Sequence, residues 1–287
     1  SPGPVENTLG EYNGQQVIQV EGHPTYPTSG RLDLTTVGVT RASNDLGLLS
    51  ALRAWVDPRY AVVPRDLVYP EDVSAEEVKE ENAEQMSRSQ ESAKVAALRQ
   101  LGEAVPQTIV VDAIVEDSPA VDRLKAGDII RTVDGTEVTE AKKVSELVQL
   151  HTPGEDVTFG IERDGAPQTV TVTTTTNPQD SGKAFVGISP TAGYDFPFRV
   201  DINLGEDIGG PSAGLMFALG IYDTLTPGEL TGGKHIAGTG TMTSDGEVGP
   251  IGGIQQKIVA ADDEGASVFL TPADNCAEAL GARNGDV

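Results

Sequence analysis

The chain has 287 residues, of which 38% are hydrophobic, and it carries a formal net charge of −24 at pH 7. This length allows two modest domains or one large one, and the negative charge argues against non-specific nucleic-acid binding, which needs clustered Lys and Arg. The single cysteine, Cys276, excludes an intramolecular disulfide and a cysteine zinc site. We expect it to be a small buried hydrophobe.

The first third predicts two strands and a long helix. Residues 17–20 form a short apolar run, and residues 31–37 alternate between apolar and polar, which indicates a half-buried strand. Ser74 and Glu77 have the spacing of a capping box. A long polar helix is therefore predicted to begin there and to end at Gly102.

The middle of the chain favours a small β-rich module. Strands are predicted from residue 108 and within 124–135, followed by a helix with one apolar face over 141–148. The alternating pattern of residues 157–172 is broken by an Asp164-Gly165 dipeptide, which predicts a hairpin.

The last third contains a serine in a run of small residues. After predicted strands at 185–188 and 198–202 comes Gly209-Gly210-Pro211-Ser212-Ala213-Gly214, followed by an apolar segment. Pro211 suits the first turn of a helix. Such a helix start would place free N–H groups and a positive dipole end beside the Ser212 hydroxyl. This arrangement suits a nucleophile with an oxyanion hole, although the glycine spacing taken alone favours a tight structural turn.

A serine nucleophile needs a base. The three histidines, at positions 23, 151 and 235, have no recognisable triad context. Lys257 is a better candidate, because helical spacing places it on an apolar stripe with Ile254, Ile258 and Ala261. Burial lowers the pKa of a lysine and lets it accept a proton near neutral pH. The alternative is a lysine that extends along the helix to reach water.

Residues 228–235 imitate a phosphate-binding loop, Gly-x-x-x-x-Gly-Lys followed by Ser or Thr. Here His235 takes the place of the hydroxyl residue, and Pro227 precedes the run where a strand is required. We interpret the run as a coincidence, so ATP hydrolysis by these residues is not expected.

Two ordered motifs carry a family resemblance. Residues 210–214 and 250–261, with the intervening 237–249, resemble the Ser-Lys dyad signature of the Lon protease family. This resemblance implies that Ser212 is the nucleophile and Lys257 its general base. It also implies that Thr239 orients the lysine.

The same resemblance implies an oxyanion and substrate-binding role for the segment that flanks the nucleophile, namely Gly210, Pro211 and Ala213. No metal and no cofactor are implied. The acidic residue that many Lon domains carry two places before the proline is replaced by Gly209, with Glu206 and Asp207 nearby.

The run from Leu124 to Gly135 and the helix after it are similar to PDZ domains. A PDZ domain binds an extended peptide at a sheet edge beside a helix. The usual carboxylate-binding loop is not recognisable, and a β module used only for packing is the alternative. With both motifs, the chain resembles the bacterial, membrane-anchored, ATPase-free Lon-like proteases that carry a PDZ domain.

The expected fold is α+β, with a PDZ domain (β-rich, a partly open barrel) inserted into a Lon-type proteolytic domain. The expected boundaries are residues 1–104 for the N-terminal part of the proteolytic domain, 105–178 for the PDZ domain and 179–287 for the catalytic part.

The resulting function is that of an ATP-independent serine endopeptidase acting on proteins or peptides, with a peptide ligand on the PDZ domain and no nucleic-acid partner. The resemblance implies an extracytoplasmic position at a bacterial membrane, an anchor upstream of this chain, and a homo-oligomer, first of all a hexamer. One alternative is a trypsin-like protease of the HtrA class, which is opposed by the absence of a His-Asp-Ser order with a Gly-Asn-Ser-Gly-Gly motif. The other is a non-catalytic PDZ-containing scaffold with a Lon-like fold.

Overall fold

The computed structural model describes residues 1–40, 47, 51–52, 54, 56–57, 59–64, 73–205 and 208–282. These residues form two compact units. Unit 1 combines residues 1–103 with residues 198–287, and unit 2 consists of residues 104–197. Glu206 and Asp207 lie outside the described residues.

Within its described residues, the first segment of unit 1 contains five strands and a long helix. They are β1 (Pro2–Asn7), β2 (Glu11–Tyr12), β3 (Gln15–Gln16), β4 (Ile18–Glu21), β5 (Arg31–Val37) and α1 (Ala75–Gln100). The capping box is confirmed, because the Ser74 hydroxyl accepts from the Glu77 N–H while the Glu77 carboxylate accepts from the Ser74 N–H.

Unit 2 is built from one six-stranded sheet, one helix and a short strand pair. Its elements are β6 (Gln107–Ile114), β7 (Ile129–Val133), β8 (Thr136–Glu137), α2 (Ala141–Val148), β9 (Asp156–Arg163), β10 (Ala166–Thr173), β11 (Thr175–Thr176), β12 (Ala184–Phe185) and β13 (Ile188–Tyr194).

The sheet of unit 2 is open and has β10 and β13 as its outer strands, in the order β10-β9-β7-β6-β13, and its sixth strand, β8, pairs with β7 outside this order. The predicted hairpin is confirmed, with Asp164 and Gly165 both at positive φ in the turn between β9 and β10. The core contains Ile130, Phe159 and Ile161. Because β13 pairs antiparallel with β6, this unit continues past residue 178, where the sequence pattern placed its end.

The second segment of unit 1 completes the first. It contributes β14 (Arg199–Ile202), α3 (Gly214–Leu225), β15 (His235–Gly238), β16 (Thr241–Met242), β17 (Val248–Gly249), α4 (Ile254–Asp263), β18 (Val268–Leu270), a 3₁₀ turn (Ala273–Asn275) and α5 (Cys276–Leu280). The fold class is therefore α+β, as predicted.

The four-stranded sheet of unit 1 joins the two segments. Its order is β1-β5-β15-β18, and β15 runs parallel to both β5 and β18. The half-buried pattern predicted for residues 31–37 is wrong, because residues 32–35 of β5 are all buried. A central strand is covered on both faces, and the two polar residues among them, Asp33 and Thr35, are hydrogen-bonded.

Cys276 is exposed rather than buried. It begins α5, a helix of five residues in which none is buried. Among the described residues, no helix is long and apolar enough to cross a bilayer.

Candidate active site

Ser212 lies in the loop that leads into α3, and α1 holds this loop from one side. The Gly210 N–H donates to the Asn82 carbonyl at 2.9 Å, and the Ser89 hydroxyl donates to the Pro211 carbonyl at 3.0 Å. Gly210 has a φ of +86°, a conformation that favours glycine. These bonds fix the backbone on the N-terminal side of the nucleophile.

The segment after β15 holds the same loop from the other side. The Ser212 carbonyl accepts from the Gly240 N–H at 2.9 Å and from the Thr239 hydroxyl at 3.0 Å. Gly214 must be small, because a Cβ there would lie 2.8 Å from the Met242 Cβ. Helix α3 begins at Gly214. Pro211, which the sequence pattern placed in the first turn, thus lies three residues before the helix.

Lys257 meets Ser212 directly. Its Nζ lies 2.8 Å from the Ser212 Oγ and 3.0 Å from the Thr239 Oγ1. The lysine is only 2% exposed, and the stripe predicted for α4 is confirmed, since Ile254, Ile258 and Ala261 are also buried. The periodicity thus identified a lysine that points into the unit instead of reaching water.

Burial lowers the pKa of Lys257 from its ordinary value of 10.5 to about 8. Desolvation is the cause, because the charged ammonium loses its water in this position. Within the described part of the chain, no carboxylate forms an ion pair with the amine to counter this effect. A substantial fraction of Lys257 is therefore neutral under mildly basic conditions and able to accept a proton.

Thr239 links the two side chains. Its hydroxyl has one proton, which it donates to the Ser212 carbonyl, so its oxygen must accept from the Lys257 amine. Thr239 is fully buried, and its own N–H donates to the Leu270 carbonyl at 3.1 Å. This fixed acceptor directs one amine proton and leaves the lone pair of neutral Lys257 free to face Ser212.

The oxyanion role expected of the segment around Ser212 depends on which of its backbone N–H groups are not already bonded. The Gly210 N–H is already bonded to α1, and Pro211 has no N–H. Among the described residues, neither the Ser212 N–H nor the Ala213 N–H has an acceptor. The unbonded backbone donors beside the Ser212 hydroxyl are therefore the N–H groups of Ser212 and Ala213, within the described residues.

Unit 1 contains a second polar cluster, formed by Arg31, Asp33 and His235, that was not predicted from the sequence. The Asp33 carboxylate, fully buried on β5, accepts from Arg31 at 2.9 Å and lies 2.6 Å from the His235 Nε2. His235 begins β15, and Thr239 follows the end of this strand, so the cluster lies at the opposite end from the dyad. Asp33 and His235 are 202 positions apart, and no local sequence pattern links them.

No group of three or more potential metal-ligating side chains occurs in the ranges that the structure describes. The groups that the structure brings together at the site are a hydroxyl, an amine of lowered pKa and two backbone amides. These groups suffice for attack on a carbonyl carbon and for proton transfer to a leaving group.

Family comparisons match two regions of the chain. Residues 78–174 match a PDZ domain, and residues 206–280 match the Lon protease (S16) C-terminal proteolytic domain. The PDZ match begins inside α1, which packs in unit 1, and it ends before β13, which completes unit 2. The structural boundary of unit 2 therefore differs from that of the matched region.

Curated relatives match over short regions. The Lon protease of Roseiflexus castenholzii is 37% identical over 86 residues, which cover 28% of this chain and 10% of the relative. Lon protease 1 of Herpetosiphon aurantiacus is 34% identical over 98 residues, which cover 34% of this chain and 12% of the relative. A probable periplasmic serine endoprotease, DegP-like, of Halomonas elongata is 36% identical over 98 residues, covering 34% and 20%. The matched regions span a fifth or less of these relatives.

A similar solved structure is the PDZ domain of an SdrC-like protein from Listeria monocytogenes. The two chains are 21% identical, with a TM-score of 0.27, and the match covers 29% of this chain and 86% of that one.

Proposed function

We propose that this chain, which is similar to PDZ domains and to the Lon protease C-terminal proteolytic domain, is an ATP-independent serine endopeptidase in which Ser212 is the nucleophile and Lys257 the general base. The observation that carries the proposal is the 2.8 Å contact between the Lys257 Nζ and the Ser212 Oγ. A buried amine of lowered pKa and a hydroxyl at hydrogen-bond distance are the two parts that such a mechanism requires.

The reaction begins when neutral Lys257 takes the proton of the Ser212 hydroxyl and the oxygen attacks the peptide carbonyl carbon. The carbonyl oxygen becomes an oxyanion, which accepts hydrogen bonds from the free N–H groups of Ser212 and Ala213. The Lys257 ammonium then protonates the leaving amine as the C–N bond breaks. Water repeats the sequence on the acyl-enzyme and releases the new carboxyl terminus.

ATP independence rests on the loop that imitates a phosphate-binding motif. Lys234 leads into strand β15 and not into a helix, so the backbone N–H groups that would hold a phosphate at a helix start are not provided. The proposal therefore assigns no nucleotide chemistry to this segment.

The dyad is tested by single substitutions assayed on an unstructured protein substrate. Ser212→Ala and Lys257→Ala should each reduce hydrolysis by several orders of magnitude. Ser87→Ala and Lys234→Ala change exposed residues of the same types and should retain full activity. Activity retained in either dyad variant would reject the assignment.

The second hypothesis, a non-catalytic scaffold, predicts a different labelling result. A fluorophosphonate probe should modify wild-type protein at Ser212, while Lys257→Ala should label poorly because the hydroxyl has lost its base. A wild-type chain that binds peptides but is neither labelled nor proteolytic would favour the scaffold.

We further propose that unit 2 is the PDZ domain and that an extended peptide binds along β13. This strand pairs with β6 on one side, has no strand partner on the other among the described residues, and lies beside α2. Pro190 in β13 fits an outer strand, because a missing N–H is tolerated there. Strand addition next to a helix is the usual mode of peptide recognition by PDZ domains.

Peptide binding is tested by titrating isotope-labelled protein with a peptide library and following backbone amide signals. Changes should concentrate in β13 and α2. The other outer strand, β10, is the internal control. Changes confined to β10 would place the ligand elsewhere and reject the β13 edge.

The expected position on the extracytoplasmic face of a bacterial membrane and the hexameric state remain proposals that rest on the family resemblance. Fractionation of cells that express the natural gene, and sedimentation of the purified protein, test them separately. A monomer at all accessible concentrations would contradict the ring.

A further inference from the structure

A hydroxyl on α1 donates a hydrogen bond to the peptide group immediately before Ser212. Ser89 is 5% exposed and donates to the Pro211 carbonyl at 3.0 Å, across 122 positions of sequence. Serine within a helix usually bonds to a carbonyl one turn earlier or faces solvent. Ser89 does neither, since its hydroxyl bonds to the loop that carries Ser212.

The direction of this bond determines where the next amide points. In a planar trans peptide the C=O and the N–H point in opposite directions. The Pro211 carbonyl points toward α1, so the Ser212 N–H of the same peptide points away from α1. The Gly210 N–H has the reverse orientation, because it donates to the Asn82 carbonyl of α1.

The surrounding atoms leave the Ser89 hydroxyl little freedom. A Cβ at Gly214 would lie 3.0 Å from the Ser89 Oγ, so the hydroxyl packs directly against the start of α3. Serine is also less favourable than alanine inside a helix. A residue that weakens α1 while bonding the catalytic loop suggests a role in the site.

We propose that Ser89 is a positioning residue that fixes the plane of the Pro211–Ser212 peptide and thereby aims the Ser212 N–H at the oxyanion. This inference rests on the proposed function, since an oxyanion forms only if Ser212 attacks a carbonyl. Ser89 itself touches neither substrate nor the dyad side chains. Its effect is confined to the orientation of one donor.

The test compares Ser89→Ala with Ser87→Ala. Both change a serine of α1 to alanine, but Ser87 is exposed, so the effect of the substitution on the helix itself is matched. Removal of a whole oxyanion donor lowers kcat by about 10²–10³-fold. A misdirected donor should lower kcat roughly 10- to 100-fold in Ser89→Ala, with KM nearly unchanged and Ser87→Ala unaffected.

The pH profile separates positioning of the oxyanion donor from damage to the dyad. The contacts among Lys257, Thr239 and Ser212 do not involve Ser89, so the apparent pKa of the reaction should be the same in Ser89→Ala and wild type. A loss of activity that appears in KM, or that accompanies a shifted pKa, would overturn the inference. A kcat within twofold of Ser87→Ala would do so too.

A structural measurement keeps this test independent of the proposed function. Wild type and Ser212→Ala in the same assay decide whether the chain is a Ser212 protease. A crystal structure of Ser89→Ala decides the rest: a rotated Pro211–Ser212 peptide supports the positioning role, and an unchanged one overturns it even for an inactive chain.

Discussion

At the scale of single residues, the site depends on one buried lysine whose polar contacts are hydroxyl oxygens. Its lowered pKa means that the folded protein bears an energetic cost whenever the amine is charged. One pKa unit corresponds to about 1.4 kcal/mol. A decrease from 10.5 to about 8 therefore corresponds to about 3 kcal/mol, part of which the two hydrogen bonds offset.

This cost predicts that an inactive variant is more stable than the wild type. Lys257→Met should raise the free energy of unfolding at pH 7 by about 1–2 kcal/mol, because it removes the charged form. Between about pH 8 and 10.5 the unfolded chain binds more protons than the folded chain at this position, so the contribution of Lys257 to stability rises with pH. The advantage of Lys257→Met should therefore shrink across this window.

Denaturant titrations at pH 7 and pH 10 measure this difference. Lys79→Met, at an exposed position of α1, is the control and should change stability little at either pH. A Lys257→Met variant that is less stable than wild type at pH 7 would contradict the buried-charge account.

The same pKa predicts the pH dependence of catalysis. Only neutral Lys257 can accept the Ser212 proton, so kcat/KM should rise tenfold per pH unit below about 8 and level off above it. Lys257→Arg should be inactive up to pH 10, because a guanidinium remains protonated there. A rate profile that is flat between pH 6 and 9 would be incompatible with a lysine base.

At the scale of secondary-structure elements, the loop that carries Ser212 and leads into α3 packs closely between α1 and β16. This tight packing explains why the first residue of α3, Gly214, is a glycine. A Cβ at this position would approach Met242 at its Cβ and its backbone nitrogen, at 2.8 and 2.9 Å. Neither atom can move without displacing the strand.

Gly214→Ala should therefore be destabilising, by about 1–3 kcal/mol, although alanine favours helices. It should also lower the rate of Ser212 labelling by a fluorophosphonate. Gly252→Ala is the matched control, because a Cβ there meets no atom within 4 Å. Thermal unfolding and labelling rates measure both effects, and equal behaviour of the two variants would refute the steric argument.

The elements that were predicted correctly have strong local signals. The capping box of α1, the Asp164-Gly165 hairpin and the apolar stripe of α4 all depend on neighbours within a few positions. The features that were not predicted depend on residues far apart in the sequence. Two polar residues of β5 are buried because the strand is central in its sheet and is contacted by α3 and α4, and the Gly210 N–H is bonded to α1.

The contacts of the dyad were only partly predictable. Spacing identified Ser212 and Lys257 as candidates, but no periodicity could show that their side chains meet. The His235–Asp33 pair was missed for the same reason, since each residue looks ordinary in its own segment. Tertiary contacts decided both cases.

At the scale of the whole molecule, unit 2 has a core of its own, and in the sequence it lies between the two segments of unit 1. Residues 104–197 expressed alone should fold and unfold in one cooperative transition. The shorter fragment 104–178, which ends at the boundary expected from sequence, lacks β13 and the buried Val186. It should be less stable by several kcal/mol, because the edge of β6 and part of the core become exposed.

Circular dichroism and denaturant titration of the two fragments measure this difference. Equal stability of the fragments would show that β13 does not belong to the core of unit 2. A 104–197 fragment that stays unfolded would show that this unit depends on the rest of the chain.

The parallel pairing of β5 with β15 has a consequence for synthesis on the ribosome. The partner of Asp33, His235, is synthesised 202 positions later, so β5 cannot pair with β15 until His235–Gly238 has been translated. Pairing across such a separation is slow, whereas unit 2 is contiguous and can fold as it emerges. Lys257 is translated later still. Under the proposed mechanism a nascent chain therefore carries a nucleophile without its base until Lys257 has been synthesised.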